Sequence, residues 1–184
     1  EQIVRFLESN DGQAAEAARL AINCFEPFNR DPQTYAQATA FVPTDCEHEV
    51  IEMLQKIQQH RTFTDDPEQD FNTRQNALVA ANAEKYYRAM INGSSNSWNV
   101  RDSHMMETLD RLLELHGPDS KAIVWEHNTH IGDARYTDMA DNGMYNIGQL
   151  AREKYGRANV YLVGFGCYQG SVIAGKAWGA PMQK

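Results

Sequence analysis

Val124-Trp125-Glu126-His127-Asn128-Thr129-His130-Ile131-Gly132-Asp133 is the stretch on which the reading of this chain turns. A short apolar run of strand character ends in two histidines, an amide and a carboxylate, closed by a glycine. In open α/β sheets ligands bind outside the carboxyl ends of the strands, and these polar side chains stand there. Histidine titrates near neutrality, so a pair at a strand end is candidate acid/base apparatus. Residues three apart on an extended strand point to opposite faces. His127 and His130 therefore share a cleft only if the chain bends between them, and Asn128-Thr129 and Gly132 supply bending chemistry. The competing reading is a surface loop with two solvated histidines.

Outward from that stretch, residues 123–125 and 160–165 read as strands, with a helix over 143–155 between them. That β-α-β order has a crossover suited to parallel pairing. Two strands are too few for a stable sheet, so the fold in this chain reads as incomplete. Upstream the pattern is helical. Residues 1–24 include an alanine-rich stretch after an Asn10-Asp11-Gly12 break, and Glu26-Pro27 and Asp31-Pro32 punctuate a loop. Asp45 is placed to cap a helix over 46–60 with the stripe Val50, Met53, Leu54 and Ile57. A long helix over 68–91 stops at Asn92-Gly93, and another over 98–116 stops at Gly117-Pro118. No flexible linker divides a mainly helical part, 1–94, from an α/β part, 95–184, so one domain is expected.

The net charge of −8 argues against nucleic acid or anionic membrane as partners. Cys24, Cys46 and Cys167 form neither a CxxC pair nor a regular framework. They read as free thiols in a reducing cytoplasm.

Arg101 lies one turn before Met105 on the apolar stripe of its helix, in the first turn, where the dipole disfavours a cation. That placement points to an anionic partner, of which Asp102 supplies part; the alternative is an arginine snorkelling at a helix end. Arg88 follows Glu84 at i,i+4, the spacing of a helical ion pair. His127 and His130 with Glu126 or Asp133 have some zinc character, but HxxH lacks the i,i+4 helical geometry of zincins. His48, His60, His104 and His116 sit in plain helical contexts. No resident metal and no cofactor are expected. The Gly164-Phe165-Gly166-Cys167-Tyr168-Gln169-Gly170 run places its third glycine one position late for a dinucleotide fingerprint.

Tyr86-Tyr87-Arg88, Ser97-Trp98-Asn99-Val100-Arg101-Asp102, His104-Met105, Thr108-Leu109, residues 125–133, Asn146-Ile147-Gly148-Gln149-Leu150 and Gly164-Phe165-Gly166 together resemble the erythromycin esterase family. Some of its members carry the name succinoglycan biosynthesis protein. The resemblance spreads over most of residues 70–180 and is loose over 1–69. It implies a three-layer α/β/α fold around a largely parallel sheet, and water-mediated, metal-independent hydrolysis of an ester or lactone. It places His127 and His130 in the cleft with Arg101 as catalytic residues, and Asn128, Asp102 and Arg88 as substrate contacts. Glu126 stands where an alanine is more usual. The family's Gly-Glu-x-x-His-Gly-like segment, which bears the general base, has no counterpart in the 184 residues, so the chain is expected to be a C-terminal portion of such a protein. The alternatives are a non-catalytic binding or regulatory protein in exopolysaccharide production and a metal-dependent hydrolase.

Overall fold

Four helix starts in this chain are written in aspartates: Asp11, Asp31, Asp45 and Asp66. A computed structural model describes residues 2–42, 45–59, 63–91, 94–176 and 181–183. Helix α1 spans Gln2–Glu8 and α2 spans Gly12–Cys24, where Asp11 accepts from the N–H groups of Gln13 and Ala14. Asp31-Pro32, expected in a loop, instead opens α3, Pro32–Thr39. The carboxylate takes the orphan N–H of Thr34, and proline at the first helical position forfeits no intrahelical bond. Helix α4, Glu47–Gln59, follows the expected cap Asp45, which accepts from the Glu47 N–H. Asp66 does the same for Glu68 at the start of α5, Pro67–Ile91. The expected stop at Asn92-Gly93 and His60 both lie outside the described residues. Helix α6, Ser94–His116, ends at Gly117, whose φ of +88° lets its N–H reach the Leu113 carbonyl.

The main core forms where the small side chains of α2 (Ala14, Ala15, Ala17, Ala18, Ala21) meet Leu7, Val50, Met53, Ile57 and Ala77. Cys24 and Cys46 are joined by a disulfide, with Cα atoms 5.8 Å apart. The expectation of three free thiols is therefore corrected. Spacing along the chain gave no hint because the partners meet only when α2 and α4 pack together. Cys167 is free and exposed.

A second, smaller core joins α6 to α8, Ile147–Tyr155, through Met106, Ile147 and Ala151. Helix α8 begins at the cap Asn146 and not at Gly143, which has φ +66° and ends a preceding 3₁₀ turn. The short helix α7, Asn128–Ile131, lies directly on α8. A Cβ on Gly148 would stand 2.1 Å from the Gly132 carbonyl oxygen and 2.4 Å from that of Ile131, so only glycine permits this approach.

The segments expected as strands, 121–126 and 159–165, carry no ladder in the structure; 157–159 form a 3₁₀ turn and the rest is irregular. Their carboxyl ends nevertheless meet. The Asn128 amide donates to the Phe165 carbonyl and accepts from its N–H at 3.1 Å, and the Trp125 and Phe165 rings lie 5.6 Å apart. Ile123, Trp125 and Tyr161 are almost fully exposed. An isolated pair of strands is at best marginally stable in water, and among the described residues no further segment pairs with either one. Between these segments and α6 and α8 lies a cleft of about 1340 Å³. The ladder among the described residues is a short antiparallel pair, β1 (Ala174–Gly175) with β2 (Met182–Gln183). Among the described residues, no helix is long and apolar enough to cross a membrane.

Candidate active site

Trp98, Arg101 and Asp102 stand at i, i+3 and i+4 near the start of α6, so all three project from one face. The bend between His127 and His130 is α7 itself, and it turns the His130 ring onto that face. The His130 and Trp98 rings stack in parallel with centroids 4.4 Å apart. His130 Nδ1 lies 2.9 and 3.1 Å from the two Asp102 carboxylate oxygens. On the other side of the ring, an Arg101 Nη2 group contacts His130 Nε2, and the guanidinium sits 5.2 Å from the Trp98 ring centroid.

The donors assign the tautomer. A guanidinium only donates, so Nε2 is the acceptor and the proton sits on Nδ1, donated to Asp102. Asp102 is fully buried, and its Oδ2 also accepts from the Ile147 N–H at 2.9 Å. Burial pushes the Asp102 carboxyl above its ordinary range, while the His130 and Ile147 hydrogen bonds pull the other way. An imidazole oriented by a buried carboxylate, with its second nitrogen aimed at an exposed cation, is suited to move a proton beside a developing anion.

The expected direction of Arg101 is corrected. Arg101 is exposed and Asp102 is the inward residue. The inward row runs through Trp98, Asp102 and Met106, one position away from the row read through Met105, and a helical face one residue off exchanges such neighbours.

Two loops lock the cluster. Trp98 Nε1 donates to the Tyr145 carbonyl at 2.8 Å, Tyr145 N–H donates to the Asn99 side chain at 3.1 Å, and the hydroxyls of Ser103 and Tyr145 are 2.8 Å apart. Asn146, almost fully buried, caps α8 through Gln149 and donates to the Thr129 carbonyl at 2.8 Å, tying α7 to α8. Trp98, Tyr145 and Asn146 were not among the expected site residues. The i, i+3, i+4 spacing exposed Trp98 to sequence reading; the other two act through contacts with no local signal.

Of the remaining expected residues, His127 caps α7: its Nδ1 accepts from the Thr129 N–H at 3.3 Å. It is exposed, its carbonyl accepts from the His130 N–H at 2.9 Å, and among the described residues no side-chain hydrogen bond or ion pair carries its ring to the cluster. Asn128 holds Phe165, as described. Arg88 binds Glu84 at 2.9 Å and Glu47 at 2.6 Å, and Glu84 in turn accepts from the buried Tyr35 hydroxyl at 2.8 Å. Both carboxylates push the Arg88 guanidinium still higher. No described contact carries Arg88 to His130, and its network joins α3, α4 and α5. Asp133 pairs with Arg135 at 2.8 Å and Arg152 at 3.7 Å. Among the described residues, no group of three His, Cys, Asp or Glu side chains has the arrangement of a metal site.

The sequence model of the erythromycin esterase family matches residues 1–184, so the match includes the first 69 residues as well as the motif-bearing remainder. The chain belongs to that family, which points to chemistry of the hydrolase type. No solved structure matches it.

Proposed function

We propose that this member of the erythromycin esterase family cleaves an ester or macrolactone by water-mediated, metal-independent hydrolysis at the His130 site. The observation that carries the reading is the Asp102–His130–Arg101 series, in which one imidazole bridges a buried carboxylate and an exposed guanidinium. In this reading His130 takes the base role that the family resemblance places on a segment without counterpart in these residues. Water's proton passes to His130 Nε2 as its oxygen bonds to the carbonyl carbon. The carbonyl oxygen becomes an anion facing Arg101, displaced from Nε2. Collapse expels the alcohol, which takes the proton back.

The substrate is a small molecule, and the acidic surface disfavours nucleic acid and anionic membrane. In this reading His127, Asn128 and Phe165 shape one rim of the site, and residues 121–126 and 159–165 belong to the parallel layer of a three-layer α/β/α sheet. The Cys24–Cys46 bond supports an oxidising compartment in place of the cytoplasm expected from free thiols.

A second reading has one observation in its favour. Arg101 occupies the His130 nitrogen that would act as base, as in a protein that binds a ligand, for example in exopolysaccharide production, without turning it over. The test is hydrolysis of aryl esters and macrolactones, followed as a mass gain of one water. His130→Ala and Arg101→Ala should each lower kcat/KM by roughly 10²-fold or more with folding intact, and His127→Ala should lower it less. No turnover by the folded protein, with tight binding of the same compounds, establishes the second reading.

A further inference from the structure

Glu126 lies four residues before His130, at the end of the irregular segment that leads into α7. Its Oε2 is 4.0 Å from His130 Nδ1, and the side chain is 21% exposed. That oxygen is buried and has no hydrogen-bond partner among the described residues. Glu126 also lines the large cleft, which His130 itself does not reach.

This arrangement is costly. A buried carboxylate oxygen without a donor forfeits its hydration and receives nothing in return. The residue caps no helix and, among the described residues, forms no pair with a lysine or arginine within ion-pair distance. The charged groups that face it are His130 from α7 and Asp102 and Arg101 from α6; burial raises its proton affinity most, the Asp102 charge adds to that, and His130 and Arg101 pull the other way. The nearest group able to gain a compensating charge is the imidazole.

We propose that Glu126 is a positioning residue for proton transfer at His130: its carboxylate shares with Asp102 the positive charge that the ring gains when Nε2 takes a proton. Asp102 holds the ring by direct hydrogen bonds, whereas Glu126 acts across space and prepares the site for the charged state. The cost of leaving Glu126 without a partner in the neutral-ring state is recovered as the imidazolium forms. This inference rests on the reading of His130 as the proton-transfer group.

The experiment is a ring-nitrogen NMR titration of His130 in the full chain, compared with Glu126→Gln and Glu126→Asp. A charge at this separation should be worth about half to one pH unit in the His130 midpoint. Glu126→Gln should lower the midpoint by that amount and Glu126→Asp should restore part of it. The acid limb of kcat/KM should move by the same amount, with KM for a neutral ester little changed. An unchanged His130 midpoint in folded Glu126→Gln overturns the proposal.

If Glu126→Gln does not fold, the side-chain carboxyl carbon of Glu126 is followed by NMR in the unmutated protein. A second inflection at the His130 midpoint supports the coupling, and its absence overturns it. The titration needs no turnover. Absence of ester hydrolysis by the unmutated protein, with an intact midpoint shift, therefore overturns the hydrolase reading and leaves the charge coupling standing.

Discussion

The backbone N–H of Ile147 donates to Asp102 Oδ2 at 2.9 Å, so the carboxylate that orients His130 is itself anchored by the first residue of α8. The first turn of a helix presents unpaired N–H groups and a positive dipole end, and both favour an anion there. Three helices are thereby fastened through one buried side chain: α6 supplies it, α7 supplies the ring and α8 supplies the donor.

Asp102→Asn should reduce kcat/KM by roughly 10²- to 10⁴-fold, the range set by losing an oriented acid/base group. The amide keeps the volume but presents a donor where Ile147 or His130 needs an acceptor. Equilibrium denaturation should show a loss of about 1–3 kcal/mol from the donor left without a partner. Full activity in a folded Asp102→Asn protein removes the dyad from the mechanism.

Gly148→Ala should destabilise the α7–α8 contact, because the new methyl would stand 2.1 Å from the Gly132 carbonyl oxygen. Overpacking against rigid backbone costs about 1–3 kcal/mol. Chemical denaturation reads the loss, and amide exchange should quicken first in α7. Unchanged protection there would show that the two helices are not in contact.

The Cys24–Cys46 bond closes a separation of 22 residues, for which the chain-entropy model gives roughly 3 kcal/mol. Reduction should lower Tm by roughly 6–12 °C for a chain of this size. Thiol titration of the unreduced, denatured protein should find one reactive cysteine, Cys167, and three after reduction. Three reactive thiols without a reductant would remove the bond and the compartment drawn from it.

Stability should depend on pH through Glu126 with a definite sign. Burial raises its folded-state proton affinity above that of the unfolded chain. Its contribution is thus most favourable below the unfolded carboxyl range and is lost as pH rises through the folded value. Glu126→Gln should therefore be more stable than the unmutated protein at pH 7, with the difference vanishing near pH 4. Parallel melting curves at the two pH values check this, and a constant difference would contradict the burial of that carboxylate.

Sequence by itself determined the helical first half, the break before α2, the cap at Asp45, the stop at Gly117 and the apolar stripe of α4. Each depends on side chains within a turn or two of the backbone they satisfy, so local chemistry is enough. The bend that had to separate His127 from His130 was legible in the same way. Tertiary structure alone decided which histidine enters the site: α7 rests on α8 through Gly148, and that docking turns His130 toward Asp102 and leaves His127 as a cap. It also decided the Cys24–Cys46 pairing, the inward turn of Asp102 in place of Arg101, and the isolation of Arg88 among Glu84, Glu47 and Tyr35. Such choices depend on contacts between elements distant in sequence, where the free energy of a buried charge or a close backbone approach outweighs any local preference. The segments 121–126 and 159–165 show the same division from the other side. Their apolar, strand-like character is local, whereas a ladder needs backbone partners from other segments, and none pairs with them among the described residues.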